Sequence, residues 1–301
     1  MEIRRLGQIP ELLISQGSVR TIAVTAAEDS NTLGSVKKAV ESGIAKYILL
    51  GDLQKIKDKA PWVSDFTQQI SIIHHSDQKR LIEEAVSIVK QRQADILMKG
   101  LVSTDLFLKA VLNSETGLMR SGQIMSYVCA VEVAAYQKLL FISDTAVLVS
   151  PDLKQKIAMM DYSIAMARRF GIDQPHVALI ASSEKVSEKQ SATIDYSVIS
   201  KMAKQGRWGD CIVDGPLDIF LACDPASGEL KGVDTPIKGE ADVLLFPSLD
   251  AANSFYKGLM LFAGGELAGL IQGTIAPVVV MSRNESELSK YYCQALACLM
   301  V

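Results

Sequence analysis

No surplus of charge, no disulfide spacing and no long apolar run marks this chain, and each absence removes a class of protein. Its 31 basic and 34 acidic side chains leave a formal net charge of -3, and the isoelectric point lies near 5.7. That balance gives no electrostatic basis for binding nucleic acid or an anionic membrane, so the expected partners are small molecules. Cys129, Cys211, Cys223, Cys293 and Cys298 are odd in number and widely scattered, with no Cys-x-x-Cys pair. They read as reduced thiols of a cytoplasmic protein. No apolar run approaches the roughly 18 residues of a membrane helix, and no basic-then-apolar leader opens the sequence, so neither secretion nor insertion is expected.

Signature loops are missing as well. The chain has no Gly-x-Gly-x-x-Gly after a strand, no Gly-x-x-x-x-Gly-Lys-Ser/Thr loop, no His-Glu-x-x-His and no Gly-x-Ser-x-Gly elbow. Nucleotide hydrolysis and acyl-enzyme hydrolysis lose support accordingly. His74 and His75 are adjacent and lack the four-residue spacing that puts two imidazoles on one helix face, so no metal is assigned.

What is present is an α/β rhythm. A chain of 301 residues, 49% of them hydrophobic, is long enough for two domains. Strand-length apolar runs alternate with longer segments of helical period: strands are expected near 21–25, 47–51, 70–74, 96–99, 139–143, 177–181, 211–214, 243–246 and 278–281. Helices are expected over 32–42, 77–92, 104–113, 153–170, 193–205, 251–262 and 285–300. The stretch 117–136 breaks the rhythm and reads as a crossover between lobes, and 216–239 reads as a long loop.

Polar residues gather where strands end. Ser282 and Arg283 fall between the apolar run Val278–Met281 and the last helix, where α/β sheets bind ligands and helix amides attract anions. Arg283 adds a planar fork suited to phosphate oxygens; the competing reading is a surface turn with a weak ion pair. Lys99 and Gly100 end another apolar run just before Ser103 and Thr104, a second such place, with Lys109 in the helix that follows. Asn253 and Lys257, four apart, share one helix face, and Asp250 reads as that helix's cap. Asp214-Gly215-Pro216 closes a further strand, where a plain turn is the alternative. Glu287, three residues after Asn284, has the spacing of a capping box.

Taken in order, Lys99-Gly100 with Thr104–Leu112, Ser143-Asp144, Val213–Leu217, Ala241–Leu244, Asp250–Asn253 through Lys257, then Gly273, Pro277 and Ser282-Arg283 resemble the phosphate acetyl/butyryl transferase family, on its butyryl side. The resemblance implies a two-domain, three-layer αβα fold like isocitrate and isopropylmalate dehydrogenases, with the active site in the interdomain cleft. It implies a discontinuous first domain, residues 1–121 plus 270–301, around a second, 122–269. It further implies a cytoplasmic homodimer or higher homo-oligomer acting on acyl-CoA and inorganic phosphate, with coenzyme A as substrate and no tightly bound cofactor. Ser282, Arg283 and Glu287 would be catalytic; Lys99, Thr104, Lys109, Asp144, Asp214, Gly215, Asn253, Lys257 and Gly273 would bind substrate. The chain departs from the family pattern at Ala252 (usually Gly), Lys109 (Arg), Phe220 (Asp) and Ser289, where the acetyl branch carries a proposed catalytic Asp. Two rival readings are a metal-dependent decarboxylating dehydrogenase and a non-catalytic relative that senses CoA or an acyl phosphate; for the first, no suitable carboxylate set is found in the sequence.

Overall fold

The computed structural model describes residues 2–301. The chain forms two compact units. Of the described residues, 6–125 and 267–301 form one, here the first unit; 2–5 and 126–266 form the other, the second unit.

In the first unit the chain runs through α1 (Gln8–Gln16), β1 (Arg20–Thr25), α2 (Ser30–Glu41), β2 (Ala45–Gly51), α3 (Leu53–Lys59), a 3-10 turn (Pro61–Phe66), β3 (Ile70–His74), α4 (Gln78–Lys90), β4 (Ile96–Lys99) and α5 (Thr104–Leu112). The second unit contributes β5 (Ser126–Glu132), β6 (Leu140–Ser143), α6 (Leu153–Arg169), β7 (His176–Ile180), α7 (Ser191–Lys204), β8 (Ile212–Leu217), α8 (Ile219–Cys223), α9 (Pro225–Lys231), β9 (Val243–Leu245) and α10 (Leu249–Ala263). The chain then completes the first unit with β10 (Glu266–Gln272), β11 (Val278–Val279) and α11 (Glu287–Leu299).

Strand order in the first unit is β3-β2-β1-β4-β11-β10, parallel except where β10 meets β11. The step from β1 to β2 and the step from β3 to β4 run in opposite directions across the sheet. Right-handed crossovers therefore put α2 and α4 on opposite faces. α11 packs on α2, and α5 packs on α4. The α2–α11 contact is sealed by Gln294, fully buried, which donates to the Ser35 hydroxyl at 2.7 Å and accepts from the Tyr47 hydroxyl. In the second unit the order is β5-β6-β9-β7-β8, antiparallel only between β5 and β6. Here β6→β7 and β7→β8 advance one way, while β8→β9 returns.

Several expectations are corrected. The stretch 117–136 contains β5, whose burial on both faces leaves it without alternation. β10 carries no clear strand signal in the sequence, because Ala268 and Gly269 interrupt its apolar pattern. The expected loop 216–239 holds α8 and α9, both too short to show a helical period. The helix expected over 251–262 starts at Leu249, and its cap is Ser248 rather than Asp250. The last helix starts at Glu287, capped by the Ser286 hydroxyl accepting from Ser289 N at 2.9 Å; Asn284 sits in the preceding turn, and no Asn284–Glu287 capping box forms.

Candidate active site

The C-terminal ends of β1, β4 and β11 meet in the first unit. From β1 the chain turns into α2 on one face; from β4 it continues to α5 on the other; from β11 it returns to the α2 face through α11. Strands whose connections diverge in this way leave a crevice outside their carboxyl ends. A pocket of ≈ 250 Å³ lies there, lined by Asp29–Thr32, Lys99–Leu101, Met281–Arg283 and Lys290.

The backbone of the crevice is closely packed. Gly100 N donates to Thr25 O at 2.9 Å, and Leu101 N to Ala26 O at 2.9 Å. A Cβ on Gly100 would stand 2.3 Å from Thr25 O and 2.6 Å from Ala26 O, so only glycine fits. On the other side Ser282 begins a turn: Asn284 N donates to the Ser282 hydroxyl at 3.4 Å and Glu285 N to Ser282 O at 3.3 Å. This turn sets Ser282, half-buried, and Arg283, exposed, beside Lys99.

Charge is the distinctive property of the pocket. Lys99, Arg283 and Lys290 line it against a single carboxylate, Asp29. That carboxylate is already engaged, accepting from Thr32 N at 2.8 Å and from Lys290 Nζ at 3.4 Å. Burial works to raise the Asp29 carboxyl, but the hydrogen bonds from Thr32 and the charge of Lys290 outweigh it and hold it below the usual range. Lys99, only 6% exposed, donates to Gly100 O at 3.2 Å. Burial pushes its ammonium down from the ordinary lysine value, and the neighbouring charges of Arg283 and Lys290 push the same way, against Asp29. Among the described residues neither Lys99 nor Arg283 has an ion-pair partner. A bound anion would supply the missing negative charge, and the arrangement is that of an oxyanion or phosphate site.

The residues named from the sequence fall into two groups. Lys99, Ser282 and Arg283 come together in this pocket. Thr104 is the exposed first residue of α5, Lys109 is exposed on the same helix, and neither lines the pocket. Gly273 has φ 85° at the β10–β11 connection, its carbonyl accepting from Arg120 N at 3.0 Å. The Glu287 carboxylate lies over Gly34 of α2, where a Cβ would stand 2.1 Å from it, and is not among the lining residues. Ser289 is buried, its hydroxyl accepting from Leu267 N at 2.9 Å.

The remaining named residues belong to the second unit. Asp144, 1% exposed, accepts from the Ser126 hydroxyl and Tyr127 N at 2.9 Å and from Ala146 N and Val147 N at 2.8 Å. Burial pushes its carboxyl up, against four donors that favour the carboxylate. Next to it, Asn253 donates to Thr145 O at 2.8 Å, while Lys257 is exposed one turn further along α10. Asp214 accepts from the Thr235 hydroxyl at 2.6 Å. A Cβ on Gly215 would stand 2.5 Å from Leu179 Cβ, so this turn also requires glycine.

Sequence reasoning missed Asp29 and Lys290. Asp29 carried a signal, an Asp three residues before Thr32 at the end of an apolar run. Lys290 carried a subtler one: a lysine in the first turn of a helix faces the positive end of the macrodipole, an unfavourable place that needs a compensating anion. Cys211, Cys223 and Cys298 are poor nucleophiles, since burial pushes the first two up to about 11 and the third up to about 12.

Comparison with known proteins places the chain among its relatives. The family model described as phosphate acetyl/butaryl transferase matches residues 76–298. A phosphate butyryltransferase of Clostridium beijerinckii is 37% identical, covering 99% of this chain and 96% of its own. A phosphate acetyltransferase of Thermotoga maritima is 33% identical over 94% of this chain and 96% of its own. Among solved structures, a branched-chain phosphotransacylase from Enterococcus faecalis superposes with a TM-score of 0.80 at 28% identity, covering 93% of this chain and 99% of that one. With a family model matched over residues 76–298 and relatives 33–37% identical over nearly the whole chain, this chain belongs to the phosphate acetyl/butaryl transferase family.

Proposed function

We infer that the chain is a phosphate acyltransferase, moving a butyryl or similar short or branched acyl group reversibly between coenzyme A and inorganic phosphate. The observation that carries this reading is the surplus of cation in the first unit's pocket, where Lys99, Arg283 and Lys290 face one engaged carboxylate. Phosphate fills the pocket, held by the Arg283 fork and the Lys99 ammonium. A phosphate oxygen attacks the thioester carbonyl carbon; the C–O bond forms, the C–S bond breaks, and the thiolate leaves to take a proton from water. The Ser282 hydroxyl donates to the developing oxyanion or to the departing sulfur, a hydrogen bond stronger in the transition state than before it. No base is needed in this direction. In reverse, a free thiol of pKa about 8.5 pays roughly 2 kcal/mol to ionise near neutrality. Glu287, packed on Gly34, is thus the least demanding member of the proposed catalytic set.

The other parts of the proposal are supported more generally. Parallel-rich sheets in two units, divided after residues 125 and 266, support the isocitrate/isopropylmalate dehydrogenase-like architecture and a discontinuous first domain. Thr104, Lys109 and Gly273 on the first unit, and Asp144, Asp214, Gly215, Asn253 and Lys257 on the second, are proposed to bind substrate. Leu261 and Phe262, 76% and 87% exposed at the end of α10, support a homo-oligomer. No helix among the described residues is long and apolar enough to cross a membrane, and the free cysteines support a cytoplasmic location.

The test is phosphate-dependent loss of thioester absorbance with acetyl-, propionyl-, butyryl- and branched acyl-CoA, on wild type and Arg283→Ala. Turnover that requires phosphate, favours four-carbon chains and collapses in the variant is expected. Equal rates for variant and wild type would remove Arg283 from the mechanism, and preference for acetyl-CoA would move the assignment to phosphate acetyltransferase. CoA binding without turnover of any thioester would leave the sensor reading standing.

A further inference from the structure

The first unit's pocket contains one group that the proposed transfer does not use, its carboxylate. Lys99, Arg283 and Lys290 supply cationic donors, and Ser30 and Asn31 open α2 at the pocket's edge, where a helix presents amides to an anion. Donors of this kind hold any tetrahedral oxyanion. Phosphate and sulfate share that shape and near neutrality both reach the dianion, so what separates them is a proton: phosphate keeps at least one P–O–H, and sulfate has none. Only an acceptor tells them apart.

Asp29 has the capacity to be that acceptor. The bonds from Thr32 N at 2.8 Å and from Lys290 Nζ at 3.4 Å both reach Oδ1, and the Thr32 hydroxyl adds a third to the carboxylate. A carboxylate offers about four lone-pair positions, so one is left over. Asp29 is also the more open member of its ion pair, with a side chain 24% exposed against 5% for Lys290. Three cations against this one carboxylate leave two positive charges, the complement of a monohydrogen phosphate dianion. A sulfate on the same donors would set a bare oxygen against the carboxylate, two acceptors with no proton between them. Sites that hydrogen-bond a substrate hydroxyl reject analogues lacking it for this reason.

The second unit shows the contrast. From β7 the chain enters α7 on the way to β8, and from β9 it leaves through α10 in the opposite direction across the sheet, with a cavity of ≈ 690 Å³ at these two strand ends. Its carboxylate, Asp195, is matched one for one by the buried ammonium of Lys156 at 2.7 Å.

We propose that Asp29 determines the anion specificity of the first unit's pocket, selecting phosphate over sulfate by accepting a hydrogen bond from the P–O–H. The proton stays on phosphate. Drawing the protonated oxygen to Asp29 leaves bare oxygens for Lys99 and Arg283, and one of these for attack on the thioester. This inference deepens the proposed function and rests on phosphate occupying the pocket, not on turnover.

Titration calorimetry in chloride buffer at neutral pH tests it on the intact chain with inorganic phosphate and with sulfate. Wild type is compared with Asp29→Asn, with the double variant Asp29→Asn/Lys290→Gln and with Arg283→Ala; circular dichroism checks folding. Asparagine keeps an N-cap oxygen for α2 and turns the free acceptor into an amide donor. The double variant removes one charge of each sign, so it keeps the pocket's net charge and leaves no buried lysine without its anion. Wild type is expected to bind phosphate at least about tenfold tighter than sulfate, a ratio that falls by at least about tenfold in both Asp29 variants. Phosphate binding is expected to weaken by a similar factor in Arg283→Ala. Were Asp29 to act through its charge alone, both anions would respond alike: an unchanged ratio in either folded Asp29 variant, or equal binding of the two anions by wild type, overturns the inference and leaves the phosphate site standing. Phosphate binding absent from wild type, or unaffected by Arg283→Ala, overturns the phosphate site and the inference with it.

Discussion

The two crevices share a construction principle and differ in charge. Each lies where parallel strands end and the chain departs to opposite faces of the sheet. In the first unit the charges are unbalanced, with Lys99 and Arg283 unpaired among the described residues. In the second, Lys156 and Asp195 neutralise each other at 2.7 Å within the cavity wall. Unpaired charge in a crevice is held in readiness for a charged ligand, and its removal affects chemistry more than folding. A buried charge that is paired belongs to the fold, and removing one partner strands the other. The same sheet geometry therefore makes a cation-rich crevice in one unit and a charge-balanced one in the other.

This contrast can be broken most forcefully at Lys156. Lys156→Met leaves the Asp195 carboxylate without its cation and is expected to reduce unfolding free energy by about 3–5 kcal/mol in urea titration. Arg283→Ala is expected to do the reverse: stability within about 0.5 kcal/mol of wild type, but kcat/KM lower by about 10²–10³-fold. Comparable stability losses in the two variants would erase the distinction drawn between the units.

Next in size is Gly100→Ala. Its Cβ would meet the Thr25 and Ala26 carbonyls at 2.3 and 2.6 Å, so the β1–β4 crevice must open; a loss of about 1–3 kcal/mol in stability is expected, together with weaker phosphate binding. Unchanged melting temperature and phosphate affinity would show the strand ends to be more compliant than their packing implies.

The smallest effect is a pH limb. Burial and the charges of Arg283 and Lys290 lower the Lys99 pKa in the empty pocket. The charged form is disfavoured there, so folded-state stability carries that penalty below the depressed pKa and recovers as pH rises from it toward the unfolded value of about 10.4. Phosphate affinity goes the other way: it is full below the depressed pKa and weakens above it, by up to about tenfold per pH unit. Lys99→Arg, charged at every accessible pH, is expected to remove this limb in calorimetric phosphate titrations. Persistence of the limb in that variant would assign it to another group.

Much of this was legible in the chain itself. β3 and β4 were read at their observed bounds because a four- or five-residue apolar run between polar segments has few alternatives. Ser282, Arg283 and Lys99 were legible because they directly follow such runs. β5 and β10 were not, since a strand buried on both faces loses alternation and glycine dilutes its apolar signal. Helix starts slipped by two residues where serines competed for the cap, as at Ser248 and Ser286.

What the sequence by itself determined was local: the alternation of strand and helix, the polar residues at strand ends, and the ordered motifs that mark the family. Those follow from side-chain periodicity and turn chemistry, which act over a few residues. Only the tertiary structure decided which strand ends became neighbours. Asp29 and Lys290 lie 261 positions apart, yet line one pocket; Lys156 and Asp195 meet across two helices. Crossover direction and strand order set those meetings, and they are properties of the whole sheet that no short window of residues contains.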